Sequence, residues 1–368
     1  MSATILPQTP AFRTTPPEIA GVASTLRDAP SEGSAGDLLT TAVAFAVLAP
    51  SSHNTQPWLF DLRWNGLEII LDRSRVLPVA DPAAREMVMS CGAALQNIRI
   101  ALRYLGFAAK VKILPHASVP DVLARVELGG PRIRSRLNEL LFAAIPERHT
   151  SRAPYHSVPV SSRLIAAMRT AAELEGAWLQ QTTDDGLRPV VADLIAEGDR
   201  RQWLDRKFRQ EHTAWLRPNT GPVRDGLPGH LFGMSDIVAR MAPAVLRRMR
   251  WGRAQAKQAR TLALEAPLLV TLTTPGDTPH DWMAAGQALQ LVLLVAAAHG
   301  ISASFLNQPL QVPALRTRFR SRLGLSGFPQ VILRMGYATP SGPTPRRELS
   351  EVFDGIAFVD NSLDIAVR

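Results

Sequence analysis

The sequence predicts an α+β protein made of two fused half-copies that form an internal pseudo-dimer. Strand-like runs alternate with long helical stretches, an Asn-Gly turn joins two of the runs, and one helical motif occurs twice. With 368 residues, 46% of them hydrophobic and 20% charged, the chain is long enough for one large core or for two.

Residues 1–36 are rich in Pro, Ser, Thr and Gly and are expected to form a flexible N-terminal tail. From Asp37 the stretch DLLTTAVAFAVLA reads as a helix that stops before Pro50. The runs 56–64 and 67–71 flank Asn65-Gly66, residues that tolerate the positive φ of a tight turn, so a hairpin is expected. Asp81-Pro82 has the form of an N-cap followed by proline at the first helical position, and predicts a helix from there to about Gly106. Residues 122–128 read as a strand closed by Gly129-Gly130.

After Pro146 the pattern restarts. Helices are expected around 161–173 and 189–210, a buried strand over 266–273, and a helix that opens at Thr278-Pro279 with Asp281 and runs to Gly300. A late strand follows over 327–337. The two long helices share a motif: Gly92-Ala93-Ala94-Leu95-Gln96 and Gly286-Gln287-Ala288-Leu289-Gln290 both read G-x-A-L-Q. The same offset, 194 residues, separates Gly92 from Gly286 and Gly106 from Gly300. Small residues on one face allow a second helix to approach closely. Internal duplication is therefore expected, with a first half over 37–146, a second over 147–368 and a lid at about 196–260.

The formal charge is +9, mostly from arginine, which favours phosphate-bearing partners without choosing among them. The densest basic run, from Arg247 to Arg253, suits a nucleic-acid patch or a solvated helix face. No window of eighteen apolar residues predicts a membrane span, and no secretory signal is evident. A single cysteine, Cys91, excludes an internal disulfide framework and any multi-cysteine metal site. A cytoplasmic protein with no membrane or nucleic-acid partner is expected, acting on a small-molecule substrate as a monomer or homodimer. Metal-ligand spacings are absent, and Gly324, Gly327 and Gly336 form no dinucleotide fingerprint.

Three clusters carry candidate chemistry. Pro50-Ser51-Ser52-His53-Asn54-Thr55-Gln56-Pro57-Trp58 offers hydroxyls, amides and an indole to a flat heteroaromatic edge and a polyol chain. Taken alone, it equally suits an ordinary polar loop. Arg148-His149-Thr150-Ser151-Arg152 precedes a helix and offers two guanidiniums with flanking hydroxyls to a phosphate. Pro345-Arg346-Arg347-Glu348 follows the last strand as a basic loop.

Pro-Ser-Ser-x-Asn-x-Gln-Pro-Trp at 50–58 resembles the loop by which FMN-dependent nitroreductases hold flavin across their dimer interface. Arg148-His149-Thr150-Ser151-Arg152 resembles the Arg-x-Ser-x-Arg phosphate motif of that family, with Thr150 in place of Ser. Gly336-Tyr337 and Arg346-Arg347 resemble its closing strand and basic pair. The resemblance, closest to the double-length Acg-type branch, implies a nitroreductase-like fold. It implies bound FMN, with NAD(P)H as transient reductant and a nitroaromatic or quinone-like acceptor. In some members of that branch FMN is held under a lid and sequestered. The resemblance assigns Arg148, Thr150, Arg152, Arg346 and Arg347 to the phosphate, and Ser51, Ser52, Asn54 and Gln56 to the ribityl chain and ring. Gln308 and Pro309 fall where the family presents backbone to flavin N5. The flavin itself supplies the reactive atom, so no catalytic side chain is expected. No Arg-x-Ser-x-Arg precedes residue 50 and no Asn-x-Gln-Pro-Trp follows residue 150, so one flavin per chain is expected.

Overall fold

The computed structural model describes residues 34–63, 66–183, 186–248, 252–339 and 342–353. The first sheet contains β1 (Trp58–Arg63), β2 (Gly66–Leu71), β3 (Phe107–Ile113) and β4 (Val122–Pro131), in the antiparallel order β1-β2-β4-β3. The second contains β5 (Trp178–Gln181), β8 (Leu268–Thr274), β9 (Ser302–Phe305) and β10 (Phe328–Gly336), in the order β5-β8-β10-β9, again antiparallel. Numbered within its own half, each sheet has the same order.

The helices repeat with the strands. In the first half α1 (Ala35–Ala46) precedes the hairpin and α2 (Arg85–Tyr104) joins β2 to β3. In the second, α4 (Ser162–Glu173) precedes β5 and α9 (Pro279–Ala297) joins β8 to β9. Between the halves runs α3 (Arg136–Glu147), and α10 (Pro313–Arg322) lies between β9 and β10. In the first hairpin Arg63 pairs with Gly66, and Trp64 and Asn65, the latter part of the expected Asn-Gly turn, lie outside the described residues. Where the first half has that short turn, the second has a long insertion between β5 and β8. It carries α5 (Leu187–Leu204), α6 (Arg206–Ala214), the short strands β6 (Leu216–Arg217) and β7 (Leu227–Pro228), α7 (Asp236–Arg248) and α8 (Gly252–Leu264).

The two halves meet at the repeated motif. A Cβ built on Gly286 lies 2.0 Å from the Met89 carbonyl oxygen and 2.9 Å from Gly92 Cα. One built on Gly92 lies 2.5 Å from the Met283 carbonyl oxygen. Backbone touches backbone where α2 crosses α9, and the touching residues are the duplicated positions, as a pseudo-two-fold axis requires. Polar ties flank the crossing: Gln290 donates to Asn97 Oδ1 at 2.7 Å and Arg99 donates to Gln287 Oε1 at 2.7 Å. Around it one hydrophobic core joins both sheets, from Leu39, Trp58 and Phe60 to Val270, Leu294 and Met335. Cys91 is buried in this core, which raises its thiol pKa and leaves it inert.

Several expectations are revised. α2 opens at Arg85, and Pro82 lies in a turn closed by Ala84 N–H to the Asp81 carbonyl. Ala84 at φ 57° breaks the path, so Asp81 instead reaches forward and accepts from Met87 N–H at 3.0 Å. The 189–210 stretch is two helices, because Asp205 leaves the helical region and caps α6 through Lys207 N–H. The edge strands β3, β5 and β9 and helix α3 went unread. The helix over 278–300 does open with a capping box between Thr278 and Asp281, and Gly300 at φ 72° stops it. Residues 1–33 of the expected tail lie outside the described residues.

Candidate functional site

A cavity of about 280 Å³ lies between the halves and beneath the insertion. The first half contributes the loop Pro50–Asn54 and, from α2, Glu86, Met89 and Ser90. The loop departs sharply from ordinary backbone: His53, Asn54 and Gln56 all have φ between 52° and 54°. Left-handed conformations are costly for His and Gln, and they persist here because the surroundings hold them. Ser51 Oγ accepts from Gln56 N–H at 3.0 Å, and the Asn54 amide donates to the Gly226 and Pro345 carbonyls at 3.0 Å each.

One cluster in the cavity is cationic. Arg148, Arg152 and Arg346 all line it, beside Thr150 and Thr344. Among the described residues none of the three has a carboxylate partner. Arg148, only 5% exposed, donates to the Leu48 carbonyl at 3.2 Å. Arg346 donates to Asn54 Oδ1 at 3.1 Å and to the Leu48 and Ala49 carbonyls. The Nε atoms of both are buried without a partner. Burial pushes the Arg148 guanidinium down to about 10, and burial with the nearby Arg148 charge pushes Arg346 down to about 9. His149, hemmed in by burial and by both arginines, is held down to about 3 and stays neutral. Arg152 lies over the Phe232 ring at 5.0 Å. Arg148 is buried and Arg152 and Arg346 are half-buried, and cations left in this state favour an anion.

A second cluster is a chain of carboxylate and amides joining all three parts of the molecule. Gln202 of α5 donates to Gln311 Oε1 at 2.7 Å, and Gln311 donates to both Glu86 oxygens at 3.0 Å. Ser52 donates to Glu86 Oε2 at 2.5 Å. Arg85, bonded to the Gln330 carbonyl at 2.7 Å, fixes Glu86 from behind at 3.3 Å. Asp199 also lines the cavity, its carboxyl pushed up to about 6 by burial. Apolar walls come from Leu289, Phe305 and Val331 of the second half and from Trp203, Phe208, Leu227 and Phe232 of the insertion.

The insertion is pinned to both halves at several points. Gln56 donates to the Arg224 carbonyl at 2.8 Å, and His53 Nε2 lies 2.8 Å from His212 Nδ1. Arg75 pairs with Asp225 at 2.9 Å, and Gly198 of α5 sits so close to Gln308-Pro309 that a Cβ would fall 2.7 Å from that peptide. The two imidazoles sit in a partly aromatic cage with Trp203 and Phe208. Burial leads the downward shift of both, with each also feeling Arg152, so the pair is neutral.

Of the residues singled out in the sequence, Ser51, Ser52, Asn54, Arg148, Thr150, Arg152, Gln308 and Arg346 are brought together around the cavity. Gln56, Pro309 and Arg347 are not. Gln56 is wholly buried and its Oε1 accepts from Arg347 N–H at 2.8 Å. The Arg347 guanidinium is spent on the Gln56 and Trp58 carbonyls and an ion pair with Asp72 at 3.5 Å. Pro309 is packed beneath Gly198. Asn307, which directly precedes Gln308, also lines the cavity, whereas sequence reasoning missed Glu86 and Gln311.

Comparison with known proteins follows this geometry. The model of the Nitroreductase family matches residues 134–337. The chain belongs to the nitroreductase family. A Mycobacterium tuberculosis H37Rv relative named "Putative NAD(P)H nitroreductase Rv3131" is 32% identical over 325 residues, covering 86% of this chain and 91% of the relative. "Probable NAD(P)H nitroreductase PigM" of Serratia sp. is 26% identical over 327 residues, covering 84% and 91%. Both relatives are matched nearly end to end, so this family member shares its double length with them. The matched region of the family model begins just before Arg148 and contains both the arginine motif and α9.

Proposed function

We propose that this nitroreductase family member is an FMN-dependent NAD(P)H oxidoreductase that holds one FMN per chain and passes electrons to a nitroaromatic or quinone-like acceptor. The observation that carries the reading is the arginine group, Arg148 buried and Arg152 and Arg346 half-buried, without carboxylate partners among the described residues. A phosphate monoester dianion supplies the missing charge, and the orphaned Nε atoms of Arg148 and Arg346 supply unused donors. Thr150, and Ser51 with Ser52 on the opposing half, supply hydroxyls for the phosphate and the ribityl chain. The connection that corresponds to the 47–57 loop in the second half is only residues 174–177, which favours a single site per chain.

FMN held by these residues would supply the hydride-transfer chemistry between reduced nicotinamide and the oxidant. The chain's own task is position and exclusion of water. Leu289, Phe305 and Val331 give apolar lining, and the Glu86–Gln311–Gln202 chain fixes the polar wall. We place the insertion as the lid: Trp203, Phe208, Leu227 and Phe232 close over the cavity.

That lid favours a second reading, in which the protein stores FMN with little turnover. Anaerobic addition of NADPH, and then NADH, to the flavin-loaded protein separates the two. Bleaching of the visible flavin band supports the oxidoreductase. A band that persists with both nucleotides supports storage. Trp203→Ala is expected to release flavin roughly threefold to tenfold faster, the worth of one aromatic contact. Stopped-flow exchange against an apoflavoprotein trap measures it.

A further inference from the structure

The insertion carries, in α7, a feature the flavin site does not use. Among the described residues, α7 turns one face inward, where Ala239 and Ala242 are buried and Leu246 packs towards Trp203 and Phe208. Its other face carries Ile237 at 74% exposure, Val238 at 51%, Met241 at 59% and Val245 at 38%. Residues 237, 241 and 245 recur every fourth position, so they form one stripe along the helix. Arg240 and Arg247 border that stripe and Arg248 lies at its end, all exposed and without an ion pair among the described residues. Arg206 and Arg209 of α6 join Arg247 and Arg248 around a cleft at the helix C-terminus.

We propose that α7 docks the protein on an anionic lipid surface, with the Ile237–Met241–Val245 stripe in the acyl boundary and the arginine cleft on headgroup phosphate. An apolar stripe edged by arginine is the pattern of a helix that lies in the membrane interface, and such a helix needs no spanning segment. No described helix is long and apolar enough to cross a membrane, which is consistent with that geometry. Charge selects the occupant. A second copy docked through the same face would set Arg240, Arg247 and Arg248 against their own equivalents, with Asp236 the one acidic residue of the helix. Anionic lipid complements every charge at the stripe's edge. The protein's net charge of +9 adds a long-range attraction of the same sign.

The position of α7 ties docking to the cavity. Leu227 and Phe232 line the cavity, and the chain then turns at Gly233, φ 71°, directly into α7. Phe232 is 40% exposed while touching the cavity, so the docking face adjoins its mouth. The inference does not depend on FMN turnover.

Flotation of the full chain with vesicles tests it. Vesicles of phosphatidylcholine with phosphatidylglycerol are expected to carry the protein up the gradient, and vesicles of phosphatidylcholine alone are not. Met241→Asp, and separately Arg247→Glu with Arg248→Glu, are each expected to lower the partition coefficient roughly tenfold or more, with unchanged flavin content and melting temperature. Absence of binding to the anionic vesicles overturns the proposal. So does binding that Met241→Asp leaves intact, or that random duplex DNA competes away fully, since either shows generic attraction to polyanions. A wild-type dimer in sedimentation that Met241→Asp dissociates assigns the face to a second copy and overturns it equally.

Discussion

Arg346→Ala and Arg148→Ala are each expected to weaken FMN binding by about 2–5 kcal/mol, roughly thirtyfold to several-thousandfold. Both side chains reach the Leu48 carbonyl, so they act at one place, and each would lose charge-assisted bonds to the same phosphate. Riboflavin binding should change little in either variant. The apoprotein responds in the opposite sense. With no ligand the half-buried Arg346 lies beside the Arg148 charge without a carboxylate partner among the described residues, so Arg346→Met is expected to leave apoprotein stability unchanged or raise it. The sign follows from the titration: the folded Arg346 value of about 9 lies well below that of a free guanidinium, so the charged form is penalised in the fold. That penalty is present in full below about pH 9 and is relieved as pH rises through 9 towards the free guanidinium value. Added FMN should protect the wild type against thermal unfolding and give Arg346→Met little protection. If Arg346→Met kept both flavin and apoprotein stability, the cationic cluster would have no phosphate to hold.

Gly286→Leu is expected to abolish folding. The first added carbon meets the Met89 carbonyl oxygen at 2.0 Å, and neither backbone can yield without separating α2 from α9 at the centre of the core. A cost above about 4 kcal/mol is a large part of ordinary domain stability, so insoluble or molten protein should result. Gly130→Ala, whose Cβ meets nothing within 4 Å, is the control and should melt with the wild type. Circular dichroism melts of the soluble fractions distinguish the two.

The long buried helices and the duplicated motif were legible in the sequence because close packing leaves a compositional mark: Gly92 and Gly286 are glycine where backbones touch. The two arginine-rich loops stood out through their resemblance to the family's phosphate motif, since their local composition alone equally suits a solvated basic turn. Edge strands such as β5 and β9 were not, being four residues each and stabilised by pairing that only the tertiary fold supplies. Asp81-Pro82 misled because the same two residues also open a turn, and Arg85 with its bond to Gln330 decides where the helix begins. The local pattern of 345–348 did not reveal which arginine faces the cavity: Arg346 points in, while its neighbour is consumed by Gln56 and Asp72. Glu86 escaped notice because its meaning comes from Ser52 and Gln311, distant in the chain.

The most direct test is a fluorescence titration of the full-length apoprotein with FMN and, in parallel, with riboflavin, which lacks the phosphate. The expected result is saturation at one FMN per chain and riboflavin weaker by roughly a hundredfold or more. Equal affinities for the two, or two FMN per chain, would contradict a single phosphate cradle built from Arg148, Arg152 and Arg346.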